Sequence, residues 1–262
     1  MRKAYGSDID REQYKLISYF LEWVKVKTRV REVDLYEIFC AILYRLKNGC
    51  KWEDLPHDFP KWQLVYYYWR RWNIVREGGF SMMDHALAAL EDLHRASKER
   101  DLEPSLLIGD SKTLQNADTA EEKGYDGGKK KSGVKIHIMV DIFGFPYAAC
   151  VTRANINDRE GALEALAQPR FSFSRLEKLM FDGGYTGEDF AVKVKGLVGA
   201  EVEIAKRSDM HKFAVIPKRW IVERSFGWLD KCRLLWKNCE RKLSSTLALV
   251  KLAFISILLK RF

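Results

Sequence analysis

The chain has 262 residues, enough for one large domain or two small ones around a substantial core. Its composition, 47% hydrophobic and 31% charged, excludes a disordered chain. Lys and Arg number 45 against 36 Asp and Glu, and the resulting net charge of +9 suits a polyanionic partner.

Residues 8–100 read as helical. Tyr14, Ile17, Phe20 and Leu21 follow helical spacing, and Leu35, Ile38, Phe39, Ile42, Leu43 and Leu46 follow it more strongly, up to a stop at Lys47-Asn48-Gly49. A loop with two prolines, Trp52 to Pro60, leads to a third helix from Lys61 to about Val75. A fourth runs from Phe80 to about Ser97. The third helix can bury Leu64, Val65, Tyr68, Trp69 and Trp72 while turning Lys61, Gln63, Tyr67, Arg70 and Arg71 outward. A basic second helix of a pair is the arrangement that docks in a major groove.

Past Pro104 the pattern changes to strands. Ser105 to Gly109 is a short apolar run ending at Asp110. Val134, Ile136, Ile138 and Val140 alternate with Lys135, His137, Met139 and Asp141, as in a half-buried strand. Gly144-Phe-Pro146 then turns into a partner strand, Tyr147 to Thr152. Asp158 is placed to cap a following helix, Leu176 to Phe181 is a fourth strand ending at Asp182, and Glu201 to Ala205 is a fifth. Helix resumes at Pro217. The expected fold is α/β: residues 1–100 as an all-α, helix-turn-helix-like domain, then residues 101–262 as a mixed five-stranded sheet flanked by helices. The stretch 120–132, rich in Gly and Lys, reads as a mobile basic loop in which Lys129, Lys130 and Lys131 can neutralise phosphates.

Five widely spread cysteines (Cys40, Cys50, Cys150, Cys232, Cys239) without a CxxC pair argue against a disulfide framework or zinc knuckle and fit a reducing cytosol. No apolar stretch opens the chain, and the run Leu247 to Leu259, broken by Lys251, is shorter than the roughly 20 residues of a membrane span; it reads as a buried helix.

Three acids stand out by position. Asp110 and Asp182 end strands, and Glu223 lies in the first turns of the C-terminal helical region. Carboxylates brought together need a compensating cation, and oxygen-only ligands at an open site favour Mg²⁺ or Mn²⁺. Two such ions about 4 Å apart serve phosphodiester chemistry. His137 reads as a solvated or hydrogen-bonded residue and not a ligand, Asp141 as a turn residue and Cys150 as packing. Trp220, Phe226, Trp228 and Leu229 read as helix-packing residues.

The segments Gly109-Asp-Ser-Lys112, Gly124-Tyr-Asp-Gly-Gly-Lys-Lys130, Lys135-Ile-His-Ile-Met-Val-Asp141, Phe181-Asp-Gly-Gly-Tyr185 and Pro217-Lys-Arg-Trp-Ile-Val-Glu-Arg-Ser-Phe-Gly-Trp-Leu229 resemble, in order and spacing, the DDE transposases of bacterial insertion sequences, family five. The loop Trp52-Glu-Asp-Leu-Pro56 and its following helix resemble that family's N-terminal domain. The resemblance implies a ribonuclease-H-like catalytic domain with Asp110, Asp182 and Glu223 as the metal-binding triad, 72 and 41 residues apart, which leaves no room for a large insertion before the glutamate. It implies two Mg²⁺ ions, for which Mn²⁺ can substitute. It also implies double-stranded DNA partners (the inverted repeats and a target) and a homodimer on DNA in the bacterial cytosol, with no membrane. Arg219, four residues before Glu223, is then placed to meet a phosphate or orient the carboxylate. The family pattern has tyrosine and lysine where this chain has Ile216 and Asp230. Two other readings remain open at this point: a metal-dependent nuclease of the same fold, and a DNA-binding protein without catalysis.

Overall fold

A computed structural model describes residues 2–23, 32–168, 173–205 and 218–262. It divides into two compact units. One comprises Met1–Arg100, Asp230–Trp236 and Ala248–Phe262, and the other Asp101–Leu229 and Lys237–Leu247. The C-terminal stretch is therefore shared out, and most of its apolar helix groups with the N-terminal helices.

The helical unit contains α1 (Arg11–Leu21), α2 (Leu35–Asn48), α3 (Trp62–Trp72), α4 (Met82–Ala96) and most of α8 (Leu243–Leu259). Its helix ends are set by local chemistry. Asp10 with Gln13 and Ser81 with Asp84 form capping boxes, and Gly49, at φ 73°, closes α2 in the left-handed conformation that glycine adopts without strain. Ile17, Leu21, Ile38, Phe39, Leu43, Leu46 and Trp72 are almost completely buried. The Trp72 indole N–H donates to the Leu21 carbonyl at 3.0 Å, which satisfies a buried donor at the core. The third helix is shorter than its pattern suggested, because the Asn73 amide turns back to the Trp69 carbonyl. Leu64 is not core. It precedes the buried stripe Val65, Tyr68, Trp69 and Trp72, falls at its edge and is exposed.

The sheet unit is built on β1 (Leu106–Gln115), β2 (Gly124–Asp126), β3 (Lys131–Val140), β4 (Pro146–Arg153), β5 (Lys178–Phe181) and β6 (Glu201–Ile204), with α5 (Asp158–Ala167), α6 (Glu188–Val198) and α7 (Arg219–Leu229). β1, β3 and β4 form an antiparallel meander, and β5 and β6 continue from β1 in parallel. This mixed, helix-flanked sheet is the expected ribonuclease-H-like arrangement.

Several local expectations change. The first strand does not end at Asp110. It runs on to Gln115 because β3 supplies a long antiparallel partner, from Ile108↔Val140 to Gln115↔Gly133. The basic stretch 120–132 is not all loop, for Gly124–Asp126 forms β2 against Lys131–Gly133. Asp126 pins that turn by accepting from Thr113 Oγ1 at 2.6 Å and from the Lys129 N–H at 3.0 Å. Asn157, not Asp158, caps α5 by accepting from the Glu160 N–H. Asp158 is thereby free to pair with Lys135. β3 is buried on both faces, so Lys135, His137 and Met139 are covered and not solvated. The cover is α5, whose small residues allow close approach; a Cβ on Gly161 would stand 2.1 Å from the His137 ring. Pro217 and Ile216 lie outside the described residues.

Candidate active site

Strand register creates the site. In the β1–β5 pair, Leu106 faces Lys178, Leu107 faces Leu179 and Ile108 faces Met180, so partners are 72 positions apart. Asp110 and Asp182 have the same separation. Continuing the register by two residues therefore brings the two carboxylates to neighbouring positions, and alternation sends them to the same face. Gly109 makes the close approach feasible: a Cβ there would lie 2.1 Å from the Phe181 ring. Phe181 in turn stacks on Tyr185, centroids 4.5 Å apart, and both belong to the core beneath.

The Asp110 carboxylate accepts the Ser111 N–H at 2.7 Å. Burial pushes its pKa from 3.8 up to about 6; the charge of Asp182 adds to this, while the Ser111 N–H, Arg219 and Lys129 act against it. Asp182 caps the short 3-10 turn Gly183–Tyr185 by accepting the Gly184 N–H at 2.9 Å. Arg219 on α7 spans the remaining acids, with Nη2 at 3.2 Å from Asp182 and Nε at 3.5 Å from Glu223 one turn along. Glu223 itself is exposed.

The structure thus sets Asp110 beside Asp182 and ties Glu223 to Asp182 through Arg219. Among the described residues, no group of three His, Cys, Asp or Glu side chains is arranged to hold a metal ion. The donor chemistry nonetheless fits a divalent cation. All donors are carboxylate oxygens, and the ionisation of Asp110 is opposed by its surroundings, so added positive charge is favoured there. Arg219 is the positive group now facing Asp182 and Glu223.

Lys129, Lys130 and Lys131 are exposed at the β2–β3 turn, with Lys130 in the left-handed region at φ 52°. In the helical unit, Lys61, Gln63, Tyr67 and Arg70 are exposed along α3 and Arg71 is half-buried. Trp220 is not a core residue. It is half-exposed, and the Arg224 guanidinium sits 4.6 Å from its ring and 4.9 Å from that of Trp228. Phe226 and Leu229 are buried. Asp141 is a turn residue, accepting from the Phe143 and Phe145 N–H groups. Cys150 lies buried against the Gly161 carbonyl. His137 lies 3.0 Å from Thr152 Oγ1, and burial holds its pKa down at about 4.

The sequence reading missed a partly buried polar cluster on the opposite face of the sheet. Lys135 Nζ lies 2.9 Å from Asp158 Oδ1 and donates to the Ile156 carbonyl at 2.8 Å. Ser111 Oγ donates to the same Asp158 oxygen at 2.8 Å. Burial works to raise the Asp158 pKa, but Lys135 and Ser111 outweigh it and hold the carboxyl below its ordinary range. One signal was available: a lysine and a histidine on an alternating strand, followed by a helix of Gly161, Ala162 and Ala165, mark a covered polar face.

Known proteins are similar to this chain over parts of its length. The family described as a transposase DDE domain matches residues 101–259, and one described as a putative transposase of the IS4/5 family matches residues 9–76. A putative transposase for insertion sequence element IS402 from Burkholderia cepacia is 33% identical over 131 residues, covering 47% of this chain and 62% of that protein. The chain thus spans less than two thirds of that relative. A structure of piggyBac transposase in a synaptic complex with hairpin DNA aligns over 94% of this chain and 71% of its own, with a TM-score of 0.43 and 11% identity. No described helix is long and apolar enough to cross a membrane. With the DDE-domain match extending from before β1 into the last turn of α8, the chain belongs to the transposase DDE-domain family.

Proposed function

We propose that this chain is a DNA transposase that binds the terminal inverted repeats of its insertion sequence and carries out metal-dependent strand cleavage and strand transfer. The observation that carries the reading is the equal offset of strand register and acid spacing, which makes Asp110 and Asp182 neighbours beside Arg219 and Glu223. Asp110, Asp182 and Glu223 would hold two Mg²⁺ ions, or Mn²⁺ in their place. When bound, these supply activation of water or a 3′-hydroxyl and stabilisation of the leaving oxygen. Arg219 would exchange its carboxylate partners for a DNA phosphate, freeing Asp182 and Glu223 as ligands. Lys129, Lys130 and Lys131 would neutralise backbone phosphates next to the carboxylates. Residues 1–100 would form the DNA-binding domain, presenting Lys61, Gln63, Tyr67, Arg70 and Arg71 to the duplex. Residues 101–262 would form the catalytic domain. Cutting both element ends together calls for a homodimer on DNA, acting in the bacterial cytosol. No protein–DNA covalent intermediate is needed.

The test is cleavage and joining of a labelled fragment carrying the inverted repeat that flanks the gene, in Mg²⁺ and in chelator. Metal-dependent nicking followed by joined products, lost in Asp182→Ala and Glu223→Ala while binding persists, is the expected result. Cleavage without joining makes the protein a nuclease. Binding with no cleavage in any metal makes it a DNA-binding protein and overturns the catalytic assignment.

A further inference from the structure

The cluster on the far face of the sheet has a geometric relation to the carboxylates. Alternation along β1 puts Asp110 on one face and Ser111 on the other. The Ser111 backbone N–H holds Asp110 Oδ1 at 2.7 Å, while its hydroxyl donates to Asp158 Oδ1 at 2.8 Å. Ser111 therefore joins two segments: the strand carrying Asp110 and the start of α5.

Asp158 is itself fixed. Lys135 Nζ, on a side chain only 7% exposed, lies 2.9 Å from it, and the Ile156 carbonyl two residues earlier accepts from the same ammonium. A buried lysine held by a carboxylate and a carbonyl has little freedom to move, so it transmits a defined position.

We propose that Ser111 and Asp158 are positioning residues that hold Asp110 in place for a metal ion shared with Asp182, with Lys135 locking Asp158 in place. The proposal rests on the reading of Asp110 and Asp182 as metal ligands. Groups that orient metal ligands from behind typically change metal affinity roughly 10-fold to 100-fold when removed. Ser111 acts through the backbone, which places it toward the lower end.

The experiment is Mn²⁺ binding to the full chain by calorimetry without DNA, alongside thermal midpoints and binding to the inverted-repeat duplex in chelator. Ser111→Ala and Asp158→Ala should each weaken Mn²⁺ about tenfold, with DNA affinity unchanged. Ser111→Thr, which keeps the hydroxyl, should stay within about threefold of the wild type. Asp110→Ala should abolish the binding event. Two results overturn the proposal: Mn²⁺ affinity within twofold of wild type in Ser111→Ala, or metal and DNA affinity falling together with the thermal midpoint. If Asp158→Ala does not fold, Ser111→Ala decides alone, and Ser111→Cys, similar in volume, replaces it if alanine is not tolerated. Should Asp110→Ala bind Mn²⁺ as well as the wild type, the ligand assignment itself fails.

Discussion

Asp110→Asn should stabilise the metal-free protein, and the gain should appear only as the pH rises. The carboxyl has a pKa of about 6 in the fold against an ordinary 3.8, chiefly because it is buried and Asp182 adjoins it. A raised carboxyl pKa means that the folded state binds more protons than the unfolded state between those values. Stability is therefore lost as pH rises from about 4 to about 6 and stays lost above. At about 1.36 kcal/mol per pKa unit the loss is about 3 kcal/mol. Asparagine keeps the shape and an oxygen acceptor for the Ser111 N–H without the charge. Urea unfolding of both proteins in chelator at pH 4 and pH 7.5 isolates the effect, since other titrating groups cancel in the difference. The variant should match the wild type at the lower pH and exceed it by about 2–3 kcal/mol at the higher. Mn²⁺ should reverse the order at pH 7.5, because only the wild type gains binding energy. A variant no more stable than the wild type at pH 7.5, or a difference independent of pH, would refute an opposed ionisation at Asp110.

Gly109→Ala places a methyl 2.1 Å from the Phe181 ring, so urea unfolding should show about 1–3 kcal/mol of lost stability, and Phe181→Leu in the same chain should recover part of it. Lys251 pairs with Asp84, whose carboxyl is largely buried yet held below its ordinary range because Lys251 and Ser81 outweigh that burial. This depressed pKa contributes stability above about pH 4 that disappears as pH falls. Lys251→Ala should lower the thermal midpoint at pH 7 and flatten that acid dependence, as thermal melts across pH 3–7 would show. Replacing Lys129, Lys130 and Lys131 by alanine should reduce the slope of log affinity against log salt by about 0.9 for each phosphate no longer neutralised, as titrations from low to moderate salt would reveal.

Much of the site was legible because its signals are local or periodic. Asp182 before Gly-Gly reads as a strand-end turn, and the alternation through Ile136 and Ile138 reads as a strand. The errors share a cause. Asp110 looked like a strand end because Ser-Lys-Thr is polar, yet long pairing with β3 carries the strand to Gln115. Asp158 looked like a cap because caps are recognised by residue type, and Asn157 is equally suitable. Trp220 looked like core because tryptophan usually is, while Arg224 covers only part of its ring.

The sequence by itself determined the order of the main helices and strands, though not β2, together with the basic charge and the acids. It also set the interval between Asp110 and Asp182, since that number is written in the chain. Only the tertiary structure decided that the β1–β5 register equals that interval, and that Arg219 lies between Asp182 and Glu223. Only it decided that the second face of β3 is covered, pairing a buried Lys135 with a partly exposed Asp158. Local propensities and periods act over a few residues, but register, burial of a second face and charge pairing depend on which distant segments the folded chain brings together.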